Sequence, residues 1–81
     1  MKITKYSATW CAPCQVIKPV WEEFKQKYPE VEFDEIDIDE NRQAATEAGI
    51  QSLPTIKSDS GKVHVGSQVS VEILEKAFEL V

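Results

Sequence analysis

Only two cysteines occur in the chain, in the run Trp10-Cys11-Ala12-Pro13-Cys14, and their placement limits its folding more than any other feature. A pair this close is too local to staple a domain, and a reducing compartment would not preserve it as a structural bridge. Redox chemistry, metal binding or chance placement remains. The flanking segments say where the pair must sit. Before it, Lys2 to Ala8 reads as a short strand carrying Ile3, Tyr6 and Ala8. After it, Ile17, Val20, Trp21, Phe24 and Tyr28 recur at three- and four-residue spacing, the stripe of an amphipathic helix running to about Tyr28. The pair therefore falls where a strand gives way to a helix.

Pro13 suits a first helical turn, where its missing N–H has no partner to lose. Pro19 lies mid-helix and predicts a kink about a turn after Cys14. Pro29 closes the helix. Val31 to Ile38 reads as a second strand whose apolar residues change face, Val31 and Phe33 one way, Ile36 and Ile38 the other. Asn41 or a neighbour can cap a short helix over Arg42 to Ala48, with Gly49 in its left-handed terminus. Leu53-Pro54-Thr55-Ile56 leads into a third strand, Asp59-Ser60-Gly61 turns, and Lys62 to Val65 returns as a fourth, ended by Gly66. Ser70 caps a last helix with Ile73, Leu74, Ala77, Phe78 and Val81 inward. The order β-α-β-α-β-β-α predicts one α/β domain over residues 1–81 with a four-stranded mixed sheet, its first two strands parallel through a right-handed crossover.

The net charge of −5 argues against nucleic-acid binding, which needs a basic footprint. No apolar run approaches the roughly 20 residues of a membrane span, and the charged start Met1-Lys2-Ile3-Thr4-Lys5 has no secretory apolar region. The expectation is a soluble, cytoplasmic monomer. Metal binding is poorly served, because beyond the cysteines the chain offers only His64 and carboxylates, and His64 reads as a strand residue. No metal and no cofactor are expected.

Thiol–disulfide exchange needs a thiolate nucleophile and a second thiol near enough to resolve the mixed disulfide. At a helix start, unpaired N–H groups and the helix dipole favour negative charge on Cys11. Cys14, one turn inward, is the resolving thiol. Pro13 stiffens the turn between them, and Trp10 offers a flat apolar surface to a partner. Trp21, on the apolar stripe, reads as core.

Several motifs in order carry a resemblance to thioredoxins over nearly the whole chain. Trp10-Cys11-Ala12-Pro13-Cys14 resembles the family's active-site segment, with Ala12 where glycine is usual. Pro19 matches its kinking proline, Asp37-Ile38-Asp39-Glu40-Asn41 the end of its next strand, Gly49-Ile50 a Gly-Ile pair (here after Ala48 rather than an aromatic residue), Leu53-Pro54-Thr55 its cis-proline loop, and Val65-Gly66 the glycine beside its substrate groove. The resemblance implies a cis Leu53–Pro54 bond and a substrate surface of Trp10, Ala12, Leu53, Pro54 and Gly66. It also implies reduction of protein disulfides, a thioredoxin reductase for recycling, and ribonucleotide reductase among the clients.

The chain also departs from that pattern. It starts at the cysteine-bearing unit, without the family's first strand and helix, which leaves Val31–Ile38 as an edge whose acidic residues discourage sheet-to-sheet pairing. Ser7 stands where an aromatic residue is common. Lys5 stands at the position of the family's buried aspartate and Glu35 at that of a lysine, so the charges look exchanged. Alternation points both inward, and the expectation is a Lys5–Glu35 pair beneath Cys14 with Glu35 helping to take its proton; the alternative is a weak pair of half-exposed charges. Two other functions fit the same motif. One is a glutaredoxin-like, glutathione-dependent reductase, although Ser52-Leu53-Pro54 and Gly66-Ser67 differ from that group's loops. The other is a binding module on the same fold with incidental cysteines.

Overall fold

The computed structural model describes residues 1–81. Strand β1 (Lys2–Ser7) is followed by helices α1 (Ala12–Val16) and α2 (Lys18–Lys27), strand β2 (Glu32–Asp37), helix α3 (Arg42–Glu47), strands β3 (Thr55–Ser58) and β4 (Val63–Val65), and helix α4 (Val71–Ala77). The strands form one mixed sheet in the order β2-β1-β3-β4. β1 runs parallel to β2, with Ile3 beside Phe33 and Lys5 beside Glu35, and antiparallel to β3, with Lys5 beside Ile56. β3 and β4 pair antiparallel across the Asp59–Gly61 turn, as the sequence predicts. This is the mixed α/β sheet expected from the sequence.

The apolar stripe of α2 decides which sheet face is covered. Ile17, Trp21 and Phe24 bury with Ile3, Ile56, Leu74 and Phe78 in one cluster, against which Val20, Tyr28, Val31 and Phe33 pack. Phe33 meets Trp21 and Phe24 edge-on, with ring centroids 5.5 and 5.4 Å apart, a favoured aromatic geometry. Trp21 is core, as its place on the stripe predicts. Ile36 looks the other way and shares a shallow surface with Thr4, Tyr6 and Lys57, so the change of face along β2 is real. Ile38 lies past the end of β2 and packs against the cysteines. His64 is a strand residue on β4, opposite Ile56.

Two expectations change, and one buried charge is added. The helix after the cysteines is not kinked but divided at Ile17, and Pro19 occupies the first turn of α2. Proline has no N–H for the carbonyl four residues back, and its ring crowds that carbonyl; starting a new helix places it where no bond is lost. The Trp21 N–H still reaches the Ile17 carbonyl at 2.9 Å, so the stripe stays aligned. The inner face of α4 is also rotated from the expected one. Leu74 and Phe78 are fully buried and Ala77 and Val71 pack against the core, but Ile73 and Val81 are exposed. Helical spacing from Leu74 and Phe78 returns to Val71 rather than Ile73, and at Glu79 the backbone turns left-handed (φ 57°), carrying Val81 away. Lastly, the buried face includes Glu75, whose carboxylate takes Lys27 Nζ at 2.5 Å and the Tyr28 hydroxyl, tying α4 to the end of α2.

The caps follow the sequence closely. Asn41 Oδ1 accepts the Ala44 N–H at 3.1 Å, and Ser70 Oγ accepts the Ile73 N–H at 3.1 Å. No helix is long and apolar enough to cross a membrane.

Candidate active site

The chain leaves β1 at Ser7 and turns at once, the Cys11 N–H donating to the Ala8 carbonyl at 3.2 Å. Cys11 is the N-cap of α1, with extended backbone (φ −88°, ψ 106°), and its Sγ accepts the Cys14 N–H at 3.2 Å. The capping atom here is a sulfur where serine or aspartate would be usual. Pro13, one residue earlier in the turn, has no N–H to compete for that sulfur. In the reduced chain the same N–H and the positive helix end face a Cys11 thiolate, which favours the anion. In this structure Cys11 and Cys14 are joined as a disulfide, with Cα atoms 5.2 Å apart. Both cysteines are buried with Ala8, and Ile38 and Leu53 pack on them.

A groove of about 460 Å³ opens over the disulfide, lined by Trp10, Cys11, Ala12, Pro13, Ile38, Ile50, Gln51, Ser52 and Leu53. It contains no charged side chain. Trp10 is 67 % exposed, yet its ring is oriented: Nε1 donates to Asp39 Oδ2 at 2.7 Å, and Asp37 Oδ1 in turn accepts the Asp39 N–H at 2.8 Å. The Leu53–Pro54 peptide is cis. Pro54 is fully buried behind the groove, and its carbonyl accepts the Gly66 N–H at 2.9 Å. Gly66 has φ 101°, a conformation that side chains of L-residues rarely adopt. The N–H groups of Gln51, Ser52 and Leu53 make no backbone hydrogen bond, so this wall has donors to offer.

Of the residues singled out in the sequence, the structure brings Trp10, Cys11, Ala12, Pro13 and Leu53 together around one groove. Cys14 lies beneath it, and Pro54 and Gly66 support the wall from behind. Ile38, Asp39, Ile50, Gln51 and Ser52 also line or brace the groove and are not legible as site residues from the sequence. Ile38, Asp39 and Ile50 belong to segments the motif comparison already singles out, and that was the available signal. No group of three or more histidine, cysteine or carboxylate side chains is placed to hold a metal ion.

Lys5 and Glu35 do pair, Nζ to Oε1 at 3.0 Å, with one partner buried and the other half-exposed, and no hydrogen bond joins either to Cys14. The Lys5 side chain is 4 % exposed, with its ammonium 5.4 Å from the Trp21 ring centroid, while Glu35 is 49 % exposed. A second ammonium, Lys25 Nζ, lies 3.5 Å from Glu35 Oε2. Burial alone would raise the Glu35 carboxyl, but hydrogen bonding and charge from Lys5, then Lys25, outweigh it and hold it below its ordinary value.

Residues 1–77 match the family model for thioredoxin. The chain belongs to the thioredoxin family. It is 38 % identical over 79 residues to the thioredoxin of Ophiophagus hannah, covering 95 % of this chain and 75 % of that protein. To an H-type thioredoxin of Picea mariana it is 46 % identical over 50 residues, 62 % of this chain but only 40 % of the relative. The oxidised mitochondrial thioredoxin 3 of Saccharomyces cerevisiae superposes with a TM-score of 0.84 at 28 % identity, covering 99 % of this chain and 77 % of that one. Family membership and the capped cysteine pair together make this a thiol–disulfide oxidoreductase site. The glutaredoxin-like and binding-module readings are not favoured.

Proposed function

We propose that the chain reduces protein disulfides by a two-step dithiol exchange. The observation that carries this is the Cys14 N–H held on Cys11 Sγ at the floor of an uncharged groove. The Cys11 thiolate attacks one sulfur of a substrate disulfide, forming a mixed disulfide and expelling the other substrate sulfur as a thiolate. Cys14, deprotonated, then attacks Cys11 Sγ; the Cys11–Cys14 bond forms and the second substrate thiolate leaves. Two electrons pass from the chain's dithiol to the substrate. Trp10, Ala12 and Leu53 contact the substrate around the cysteines, with Pro54 and Gly66 shaping the wall that receives it as an extended strand. No cofactor takes part beyond the cysteine pair.

For the resolving step we assign Lys5 and Glu35 as the proton relay. Glu35 is solvent-accessible and stays deprotonated through neutral pH, so it is always available as an acceptor; its low carboxyl value makes it a weak one. Glu35→Gln should slow resolution about three- to tenfold at pH 7, below the usual range for general-base catalysis. An unchanged rate across pH would remove the relay.

Recycling is assigned to a thioredoxin reductase in the cytoplasm, with ribonucleotide reductase among the clients and the chain acting as a monomer. The reducing character of that compartment, which keeps protein thiols reduced, supports this assignment. The direct test is Cys14→Ser. It should accumulate a mixed disulfide with a disulfide-bonded protein, seen as a mass increase that dithiothreitol reverses, and Cys11→Ser should form none. Equal adduct from both variants would contradict the assigned roles.

A further inference from the structure

One wall of the groove is a stretch of irregular chain, Gly49 to Leu53, between α3 and β3. It begins at the end of α3, where the Gly49 N–H reaches the Thr46 carbonyl at 3.1 Å and the Ile50 N–H reaches the Ala45 carbonyl at 3.0 Å. This paired closure needs a left-handed residue, and Gly49 supplies it with φ 71°. It leaves the Ala48 carbonyl without a backbone donor. Lys57 fills that place, its Nζ donating to the Ala48 carbonyl at 2.7 Å. Lys57 lies on β3, in register with Thr4 and Val63, and alternation turns it to the face away from the Ile56 core. An ammonium at a helix C-terminus also sits against the negative end of the dipole.

The far end of the wall is held by the Thr55 hydroxyl on the Ser52 carbonyl at 2.6 Å. Between these two ties Gln51, Ser52 and Leu53 make no backbone hydrogen bond, so the placing of the wall depends on its ends.

We propose that Lys57 is a positioning residue for substrate binding: by holding the Ala48 carbonyl it fixes the start of the Ile50–Leu53 wall against which a peptide disulfide docks. The proposal rests on the reductase reading. Lys57 touches neither cysteine in the contacts described, so it acts on docking of the peptide and leaves the exchange chemistry of the sulfurs alone. Without the tie the wall samples other positions, and apparent affinity falls by the fraction of molecules that remain competent.

The test is single-turnover oxidation of the reduced chain by a disulfide-linked peptide at a series of concentrations, followed by Trp10 fluorescence. A small aromatic disulfide, which needs only an accessible Cys11, serves as control. For Lys57→Met the half-saturating peptide concentration should rise about three- to tenfold while the limiting rate holds. The control rate and the reduction potential should not move. Lys57→Arg, which keeps a cationic donor of similar reach, should restore half-saturation. Equal half-saturation in wild type and Lys57→Met, or an equal loss with both disulfides, overturns the proposal.

Amide exchange provides a second readout should Lys57→Met fold poorly. In Lys57→Gln, protection should fall at Gly49 and Ile50 and persist at Lys5 and Tyr6, whereas a uniform fall would mean a merely structural tie and overturn the proposal. A wild-type chain that exchanges with neither disulfide would instead refute the reductase reading itself.

Discussion

Lys5 on β1 and Glu35 on β2 stand side by side in the parallel ladder and close an ion pair at 3.0 Å in which only the lysine is buried. The two partners are therefore not equivalent. Removing the carboxylate strands an ammonium in the interior, whereas removing the ammonium releases a carboxylate that water and Lys25 still serve. Breaking a fully buried pair costs about 3–5 kcal/mol, and the exposure of Glu35 screens this one, so Glu35→Gln should cost about 1–2 kcal/mol. Lys5→Met, an apolar replacement of similar length beside Trp21, should cost less than Glu35→Gln or stabilise the fold. Urea unfolding of both variants checks the order.

The acid limb of stability should depend on two carboxylates. Glu35 is held low by Lys5 and Lys25 against the opposing effect of burial; Glu75 is held low by its hydrogen bonds from Lys27 and then Tyr28. A carboxyl that is lower in the folded chain than in the unfolded one binds fewer protons when folded. Its contribution is complete above the unfolded value of about 4.3 and is lost as pH falls through the folded value. Melting temperatures should therefore hold from neutral pH to about 5 and fall below about 4. Glu75→Gln should be the less stable chain at pH 7, and its deficit should shrink as the pH falls; a deficit that stays constant to pH 3 would contradict the assignment.

β2 is an outer strand of this sheet, and its outward charges have a use there. Glu32 and Asp34 both lie near Lys2, at 3.8 and 3.7 Å, and neither ion pair is buried. Such pairs add little to stability; charge on an open edge discourages another strand from pairing with it. Neutralising both, as Glu32→Gln with Asp34→Asn, should leave the melting temperature nearly unchanged and raise self-association in sedimentation. No change in association would count against this role.

Most of the architecture was legible because it rests on local rules. The stripe from Ile17 to Tyr28, the caps at Asn41 and Ser70, and the turn at Asp59–Gly61 need only their own neighbours. The cysteine pair was readable as a site for the same reason: strand, turn and helix start are all set within a few residues of it. What was missed depends on partners distant in sequence. Glu75 could not be read as buried until Lys27 and Tyr28 were known to meet it, and nothing near Lys57 in the sequence indicates the Ala48 carbonyl. The Trp10–Asp39 contact likewise joins the turn after β1 to the turn after β2. Pro19 shows a different limit: its mid-helix position predicts a kink, but a helix can bend or restart at a proline, and here it restarts, with Ile17 and Trp21 still aligned.

The central claim is that this cysteine pair works as a reductant. Its reduction potential, measured by equilibrating the chain against glutathione redox buffers and following Trp10 fluorescence, tests that most directly. The expected value lies near the reducing end of the scale, about −270 mV. A value of about −200 mV or higher would contradict it and indicate a glutaredoxin-like or oxidising role.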